Sequence, residues 1–339
     1  MNKESIFQKF DQSVVLVVGD VMVDRYITGK IHRISPEAPV PILNFGNEEN
    51  RLGGAANVAL NIKSLGARPI LCSIVGNDEN ADIFSELLLA KNISSDFILH
   101  VDDRPTTVKT RLLADGQQVL RVDRESTDDI SSDNEQLILE HIKSIFQKET
   151  IDSIILQDYN KGLLTKQLIV SIIALANEKE IPISVDPKLK NFFEYKNTTL
   201  FKPNLKEVRV ATQMDVKTTL SSLRAASRHI KSILNNKITM ITLSEKGIYI
   251  DNGIDDGIFP TTPRDIADVC GAGDTVISAA SIALSVGMTL SEIASLSNVA
   301  GGQVCEQIGI IPINKVRLFK EFNSRHQDLR HQDTKFLKF

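Results

Sequence analysis

Short, wholly apolar runs alternate with stretches of helical periodicity along most of the chain. Val14-Val15-Leu16-Val17-Val18 ends at Gly19-Asp20. Apolar on both faces and rich in β-branched residues, it predicts a buried strand. After Gly53-Gly54, residues Ala55, Val58, Ala59, Ile62 and Leu65 recur at helix spacing, and Gly66 stands where a helix should stop. Ile70-Leu71-Cys72-Ser73-Ile74-Val75 then forms another apolar run before Gly76. Strand, glycine turn, helix and strand in that order predict a mostly parallel sheet covered by helices.

The alternation continues. Ile154-Ile155-Leu156 precedes Gln157-Asp158-Tyr159, and Ile183-Ser184-Val185 precedes Asp186-Pro187-Lys188. Leu200-Phe201 leads into Lys202-Pro203-Asn204, and the run Ile238 to Leu243 leads into Ser244-Glu245-Lys246-Gly247. Polar residues therefore gather just after the apolar runs, at the edge where open parallel sheets bind ligands. Two stretches depart from the pattern. Tyr26 to Leu52 carries Pro36, Pro39 and Pro41, and Thr106 to Asp123 has extended segments around Asp115-Gly116, a hairpin signal. They read as a small β-lid or, more blandly, as surface hairpins. Near the end, Asp274 to Val286 predicts a small-residue helix stopped by Gly287, and Thr289 with Glu292 forms a capping box for the next one. The domain expected is residues 1–320, with a basic tail over 321–339 that includes Arg325, His326, Arg330, His331, Lys335 and Lys338.

Composition changes this picture little. The chain has 339 residues and a formal net charge of -4, which gives no reason to expect nucleic acid or an anionic membrane as a partner. Cys72, Cys270 and Cys305 are far apart, with no CxxC pair and no zinc spacing. The start, MNKESIFQKFDQ, has no signal-peptide core, and the first apolar run is too short to span a bilayer. A cytoplasmic protein is expected.

The strongest local signal for chemistry is Asp268-Val269-Cys270-Gly271-Ala272-Gly273-Asp274, opening a helix. Gly271, Ala272 and Gly273 let the backbone approach a ligand, and their N–H groups with the helix N-terminus form an anion site. A carboxylate beside such a site makes sense if Asp274 accepts a proton from a hydroxyl attacking a bound phosphate. Taken alone, the same residues also read as a structural glycine turn with Asp274 favoured by the helix dipole.

A second motif bears on that choice. Gly53-Gly54-Ala55-Ala56-Asn57-x-Ala59, then Gly66 and Gly76, resembles the first signature of the ribokinase-like sugar kinases. The Gly271–Asp274 block resembles their second signature, about 220 residues later. The resemblance implies a three-layer α/β/α sandwich with a small β-lid, and an ATP-dependent phosphotransferase using Mg2+, with Asp274 as base. It gives Asp20 and Asp24 to sugar hydroxyls and matches Gly53, Gly54 and Asn57 to the substrate-binding turn. Asn204-Leu205-Lys206-Glu207 resembles the family's N-x-x-E element near the ATP phosphates, with Glu207 acting on magnesium through water. Ser244 to Gly247 resembles the loop beside the nucleotide, and Asp268 matches a position that serves a monovalent cation such as K+ in several relatives.

Within the family, Gly19-Asp20-Val21-Met22-Val23-Asp24-Arg25-Tyr26, Ile34-Ser35-Pro36-Glu37-Ala38-Pro39-Val40-Pro41 and Asp158-Tyr159-Asn160-Lys161-Gly162 resemble the D-glycero-D-manno-heptose 7-phosphate kinases. Those enzymes phosphorylate the anomeric hydroxyl in lipopolysaccharide heptose synthesis. In some of them a nucleotidyltransferase domain follows. The short tail here, with no H-x-G-H, implies the kinase-only form. Lys109, Arg111, Arg121, Arg124 and Lys161 are candidates for the substrate phosphate, or alternatively solubilising charges on exposed hairpins. In a strand, Lys109 and Arg111 would share a face.

Three departures qualify the resemblance. Val269 and Cys270 stand where many members carry threonines, and Ser244 replaces a common glycine. Cys270 reads as a packing residue or a reactive thiol. Other readings kept open are a kinase for another sugar or sugar phosphate and a non-catalytic sensor of the same fold. A dinucleotide-binding oxidoreductase is disfavoured, because no G-x-G-x-x-G follows the first strand. Lid strands with exposed edges also suggest a homodimer.

Overall fold

The computed structural model describes residues 3–262, 264–307 and 309–324. In its first half the strands are β1 (Val14–Gly19), β2 (Val21–Ile34), β3 (Pro41–Gly54), β4 (Arg68–Gly76), β5 (Ile98–Val101), β6 (Val108–Ala114) and β7 (Gln117–Arg124). Then come β8 (Ser153–Gln157), β9 (Ile183–Asp186), β10 (Leu200–Phe201), β11 (Ile238–Thr242), β12 (Ile248–Asp251) and β13 (Asp256–Phe259). The helices are α1 (Lys3–Phe10), α2 (Ala55–Ser64), α3 (Glu79–Ala90), α4 (Ser132–Lys148) and α5 (Lys166–Glu178). They continue as α6 (Leu205–Thr212), α7 (Leu220–Leu234), α8 (Ala272–Ser285) and α9 (Leu290–Cys305). A further helix covers 315–324.

The main sheet has the order β13-β12-β11-β10-β9-β8-β1-β4-β5. Its pairings are parallel from β5 across to β11, and β12 and β13 add an antiparallel edge. Strand alternation explains why the first run is apolar throughout. Val15 and Val17 pack on the layer that holds α2, α3, α8 and α9, whereas Leu16 and Val18 pack on the layer of α4, α5 and α7. Three layers result, as the motif order implies. α8 lies close on the sheet because its inward residues are small. Ser281 Oγ sits 2.7 Å from Ser153 Oγ, and Ile277 and Ala280 are fully buried.

The second sheet, β3-β2-β6-β7, stands apart from the first. β2 starts immediately after β1, so the chain passes from core to second sheet at Asp20. The extended segments begin earlier than the Tyr26 boundary because Val21, Met22 and Val23 are a buried strand start rather than a loop. At the tip of the β6–β7 hairpin, Asp115 and Gly116 both take left-handed backbone, with φ of 50° and 79°. That is the geometry a tight primed turn requires.

The C-terminal end of the expected domain shifts as well. Leu318 and Phe322 of the last described helix belong to the core, so a tail starting at 321 would begin inside that helix. The basic residues from Arg325 onward lie outside the described residues. Among the described residues, no helix is long and apolar enough to cross a membrane.

Candidate active site

The parallel strands β1, β8, β9 and β10 all end at one edge of the sheet, and the start of α8 meets them there. The residues at or just after those ends, Asp20, Asp158, Asp186 and Lys202, are buried. Gly271 caps α8 in a left-handed conformation, φ 77° and ψ −2°, which favours glycine. A Cβ at this position would also come within 3.0 Å of Asn57 Nδ2. One residue beyond Gly273, Asp274 sits in the first turn with its carboxylate buried.

Three side chains hold that carboxylate. Asn57 Nδ2 donates to Oδ2 at 2.8 Å, while Tyr159 Oη and Gln157 Nε2 donate to Oδ1 at 2.7 and 3.1 Å. Asn57 is itself fixed by Asn61, one helical turn on. Nearby, Lys202 Nζ and Asp186 Oδ2 form a buried ion pair at 3.0 Å. Burial pushes the Asp274 carboxyl up to about 6. The hydrogen bonds from Asn57 and Tyr159 oppose this rise, the Asp186 charge adds to it, and Lys202 opposes it. At neutral pH the group is a carboxylate with a substantial proton affinity, as a general base needs.

A cleft of about 1140 Å³ opens beside the start of α8, lined among others by Lys188, Lys202, Asn204, Ser244, Gly247 and Gly273. Its size and mixed lining suit a nucleotide. Gly273 borders it so closely that a Cβ there would lie 3.8 Å from Asp186 Oδ2 and 3.9 Å from Lys202 Nζ. Asn204 and Glu207 form a capping box at the start of α6, and Glu207 Oε1 also accepts from Lys188 Nζ at 3.0 Å. Leu205 and Lys206 line the same cleft. Ser244 has φ 59°, a left-handed position where a glycine would fit as easily, so the substitution leaves the turn intact. Gly247 has φ 94°, and a Cβ there would meet the Phe259 carbonyl at 2.1 Å.

Magnesium fits this site only in one way. Among the described residues, no group of three or more His, Cys, Asp or Glu side chains could cage a metal. Glu207 is one carboxylate beside the cleft rather than in its lining, with Oε2 taken by the Asn204 N–H and Oε1 by Lys188, so it would serve an ion held mostly by water and phosphate oxygens only through water. The expected monovalent-cation position fits less well. Asp268 Oδ1 accepts from Cys270 N at 3.0 Å and Oδ2 from Gly309 N at 2.9 Å, so its carboxylate braces the turn before α8. Cys270 is not primed as a nucleophile, since burial, followed by the Asp268 hydrogen bond, pushes its thiol up to about 11.

The two carboxylates expected at the sugar are placed differently. Asp20 accepts three backbone N–H groups, from Tyr159, Lys161 and Leu163. Its geometry anchors the loop after β8, and these bonds already engage both of its oxygens. Asp24 lies within β2, not in a loop, and pairs with Arg111. Gly53 is required beside it, because a Cβ there would fall 2.0 Å from Asp24 Oδ2. Gly54 turns the chain into α2 with φ 60°. Register puts Lys109 opposite Asp24 and Arg111 opposite Tyr26, so both cations face the same side of the second sheet. Each is paired: Lys109 Nζ lies 3.0 Å from Asp123 and 2.8 Å from Glu125, and Lys161 Nζ lies 2.7 Å from the other oxygen of Glu125. Arg121 pairs with Asp123 and Arg124 with Asp78.

Four residues at the centre were given no role from the sequence: Gln157, Tyr159, Asp186 and Lys202, although Tyr159 lies in the segment Asp158 to Gly162 that carries the heptose-kinase resemblance. For Gln157, Asp186 and Lys202 the signal was position alone, polar residues at the ends of apolar runs.

Comparison with known proteins agrees with this architecture. The model of the pfkB family carbohydrate kinases matches residues 12–316. The bifunctional protein HldE of Geobacter sulfurreducens is 37% identical over 327 residues, covering 96% of this chain and 66% of that protein. The bifunctional protein HldE of Helicobacter hepaticus is 40% identical over 295 residues, 87% of this chain and 61% of its own length. The chain thus spans just under two thirds of the curated relatives it matches. Among solved structures, phosphofructokinase-2 from Escherichia coli in complex with substrates and products superposes with a TM-score of 0.75 at 18% identity, over 92% of this chain and 99% of that one. Ribokinase of Arabidopsis thaliana, complexed with ribose and ATP, gives 0.69 at 18% identity, over 91% and 99%. These neighbours bear out the expected ribokinase-like fold, and the family match over most of the chain is decisive: the chain belongs to the pfkB family of carbohydrate kinases.

Proposed function

We propose that the chain transfers the γ-phosphoryl group of ATP to the anomeric hydroxyl of D-glycero-D-manno-heptose 7-phosphate, giving the 1,7-bisphosphate. The observation that carries the kinase reading is Asp274, a buried carboxylate pushed up to about 6 beside the amides of a glycine-opened helix. In this reading the hydroxyl O–H bond breaks and its proton goes to Asp274. The freed oxygen bonds to the γ-phosphorus as the bridging P–O bond to the β-phosphate breaks, and ADP leaves with that electron pair. The N–H groups of Gly271, Ala272 and Gly273 offset the charge on the transferred group. Lys202, 3.9 Å from where a Gly273 Cβ would be, adds a cation on the same side. Asn204, Ser244 and Gly247 bound the nucleotide's part of the cleft. Magnesium, held by ATP phosphates and water with Glu207 acting through that water, would supply further charge neutralisation there.

The choice of sugar rests on the relatives named HldE and on the three heptose-kinase-like segments around Asp20, Pro36 and Asp158. A sugar with a distal phosphate needs cations away from Asp274. Lys109, Arg111 and Lys161 are the candidates, each exchanging a carboxylate partner for phosphate. We assign the reaction to lipopolysaccharide heptose synthesis in the cytoplasm, where ATP is available. A panel of sugars and sugar phosphates, followed by ADP release, tests the assignment. Turnover with the heptose 7-phosphate above fructose 6-phosphate and ribose is expected. Preference for either of the latter would keep the kinase and discard the heptose.

A further inference from the structure

We infer that Tyr159 and Gln157 are positioning residues for Asp274: together they fill Oδ1 and leave the open acceptor direction on Oδ2 as the one that takes the substrate proton. The inference rests on the proposed role of Asp274 and adds which oxygen acts and what holds it. A carboxylate oxygen has two lone-pair directions. Oδ1 receives two donors, Tyr159 Oη at 2.7 Å and Gln157 Nε2 at 3.1 Å. Oδ2 receives one, Asn57 Nδ2 at 2.8 Å, and so keeps a direction open.

Both donors are fixed from behind. The Tyr159 backbone N–H donates to Asp20 Oδ2 at 2.8 Å, and Lys188 Nζ lies 5.2 Å from the centre of the Tyr159 ring. Asp20 therefore reaches the reacting carboxylate through the loop it anchors. Gln157 Nε2 donates to Asp186 Oδ2 at 3.2 Å as well as to Asp274. Its Oε1 is left buried without a partner, so two carboxylates decide which way the amide faces. Burial, then the Asp274 charge, hold the Tyr159 hydroxyl well above its ordinary range, which keeps it a donor. The groups facing Asp274 are thus Asn57 from α2, Gln157 and Tyr159 at the end of β8, Asp186 from β9, Lys188 just after it, and Lys202 after β10.

The test is a 13C NMR titration of protein labelled at the aspartate carboxyls, with the Asp274 signal assigned by its loss in Asp274→Asn. In Tyr159→Phe, which keeps the ring, the Asp274 midpoint should rise by about one pH unit, because a donor to the ionised form is gone. The acid limb of kcat with ATP and the heptose 7-phosphate should move up in parallel, about fivefold slower at pH 6, with KM for ATP unchanged. Gln157→Met removes the other donor and should move the midpoint in the same direction. It carries the test alone if Tyr159→Phe does not fold. A midpoint unmoved in the folded variant overturns the inference. Because the titration needs no sugar, a moved midpoint without any sugar turnover supports the positioning and counts instead against the proposed reaction.

Discussion

Asp274 shares its surroundings with a second carboxylate, Asp186, yet the two are treated differently. Asp186 has Lys202 at 3.0 Å, whereas Asp274 is held by neutral donors only. A buried carboxylate held without a paired cation binds a proton more readily, which marks Asp274 as the candidate base. Gly271 protects the arrangement. Gly271→Ala should strain a left-handed position and push Asn57, whose Nδ2 lies 3.0 Å from the new Cβ. kcat should fall tenfold or more, and the fold should lose about 1–2 kcal/mol. Gly116→Ala, at a similar φ of 79° but with nothing within 4 Å, should cost comparable stability and leave kcat alone. Steady-state kinetics beside thermal melts separate the two, and equal kcat values would mean that Asn57 does not govern the site. Asp274 and its glycines were legible in the sequence because they form one contiguous motif. Gln157, Asp186 and Lys202 were visible only as polar residues at strand ends, and Tyr159 only within a longer resembling segment, since their convergence depends on three strands, β8, β9 and β10, ending together.

At the scale of elements, the strand and helix order was readable because each apolar run is short and each helix announces its ends. Thr289 and Glu292 do form the capping box at α9, and Gly66, at φ 101°, follows α2. What periodicity could not supply was β2 starting at once after β1, or the packing of the helix over 315–324 on Phe7. Both are set by contacts distant in sequence. The second sheet shows a division of faces. Lys109, Arg111, Arg121 and Asp123 share one side through register, and Leu120 and Val122 lie on the other, exposed. Phe45 on β3 is exposed too. Such an apolar face on an edge strand favours pairing between chains. We therefore predict a dimer through the second sheet, seen by analytical ultracentrifugation at micromolar concentration. Leu120→Glu combined with Val122→Glu should convert it to monomer. A monomeric parent protein would remove the proposal.

For the whole molecule, the cleft beside the start of α8 is bordered by Asn204 and Leu205 at α6 and by Gly273 of α8; in the proposed reaction it takes the nucleotide, and the sugar binds toward the second sheet. Closure over that cleft would exclude water from an activated γ-phosphate. The proposed reaction depends on Asp274 taking the hydroxyl proton. The measurement that addresses it most directly is ATP turnover with D-glycero-D-manno-heptose 7-phosphate by the parent chain and by Asp274→Asn, across pH. The parent should be active above pH 6 and lose activity as pH falls through about 6, where the carboxylate becomes protonated and can no longer accept. Asp274→Asn should lower kcat by roughly 10²–10⁴ at every pH, with KM values little changed. Turnover by Asp274→Asn within a few fold of the parent, or a parent profile with no acid limb near 6, would contradict the account.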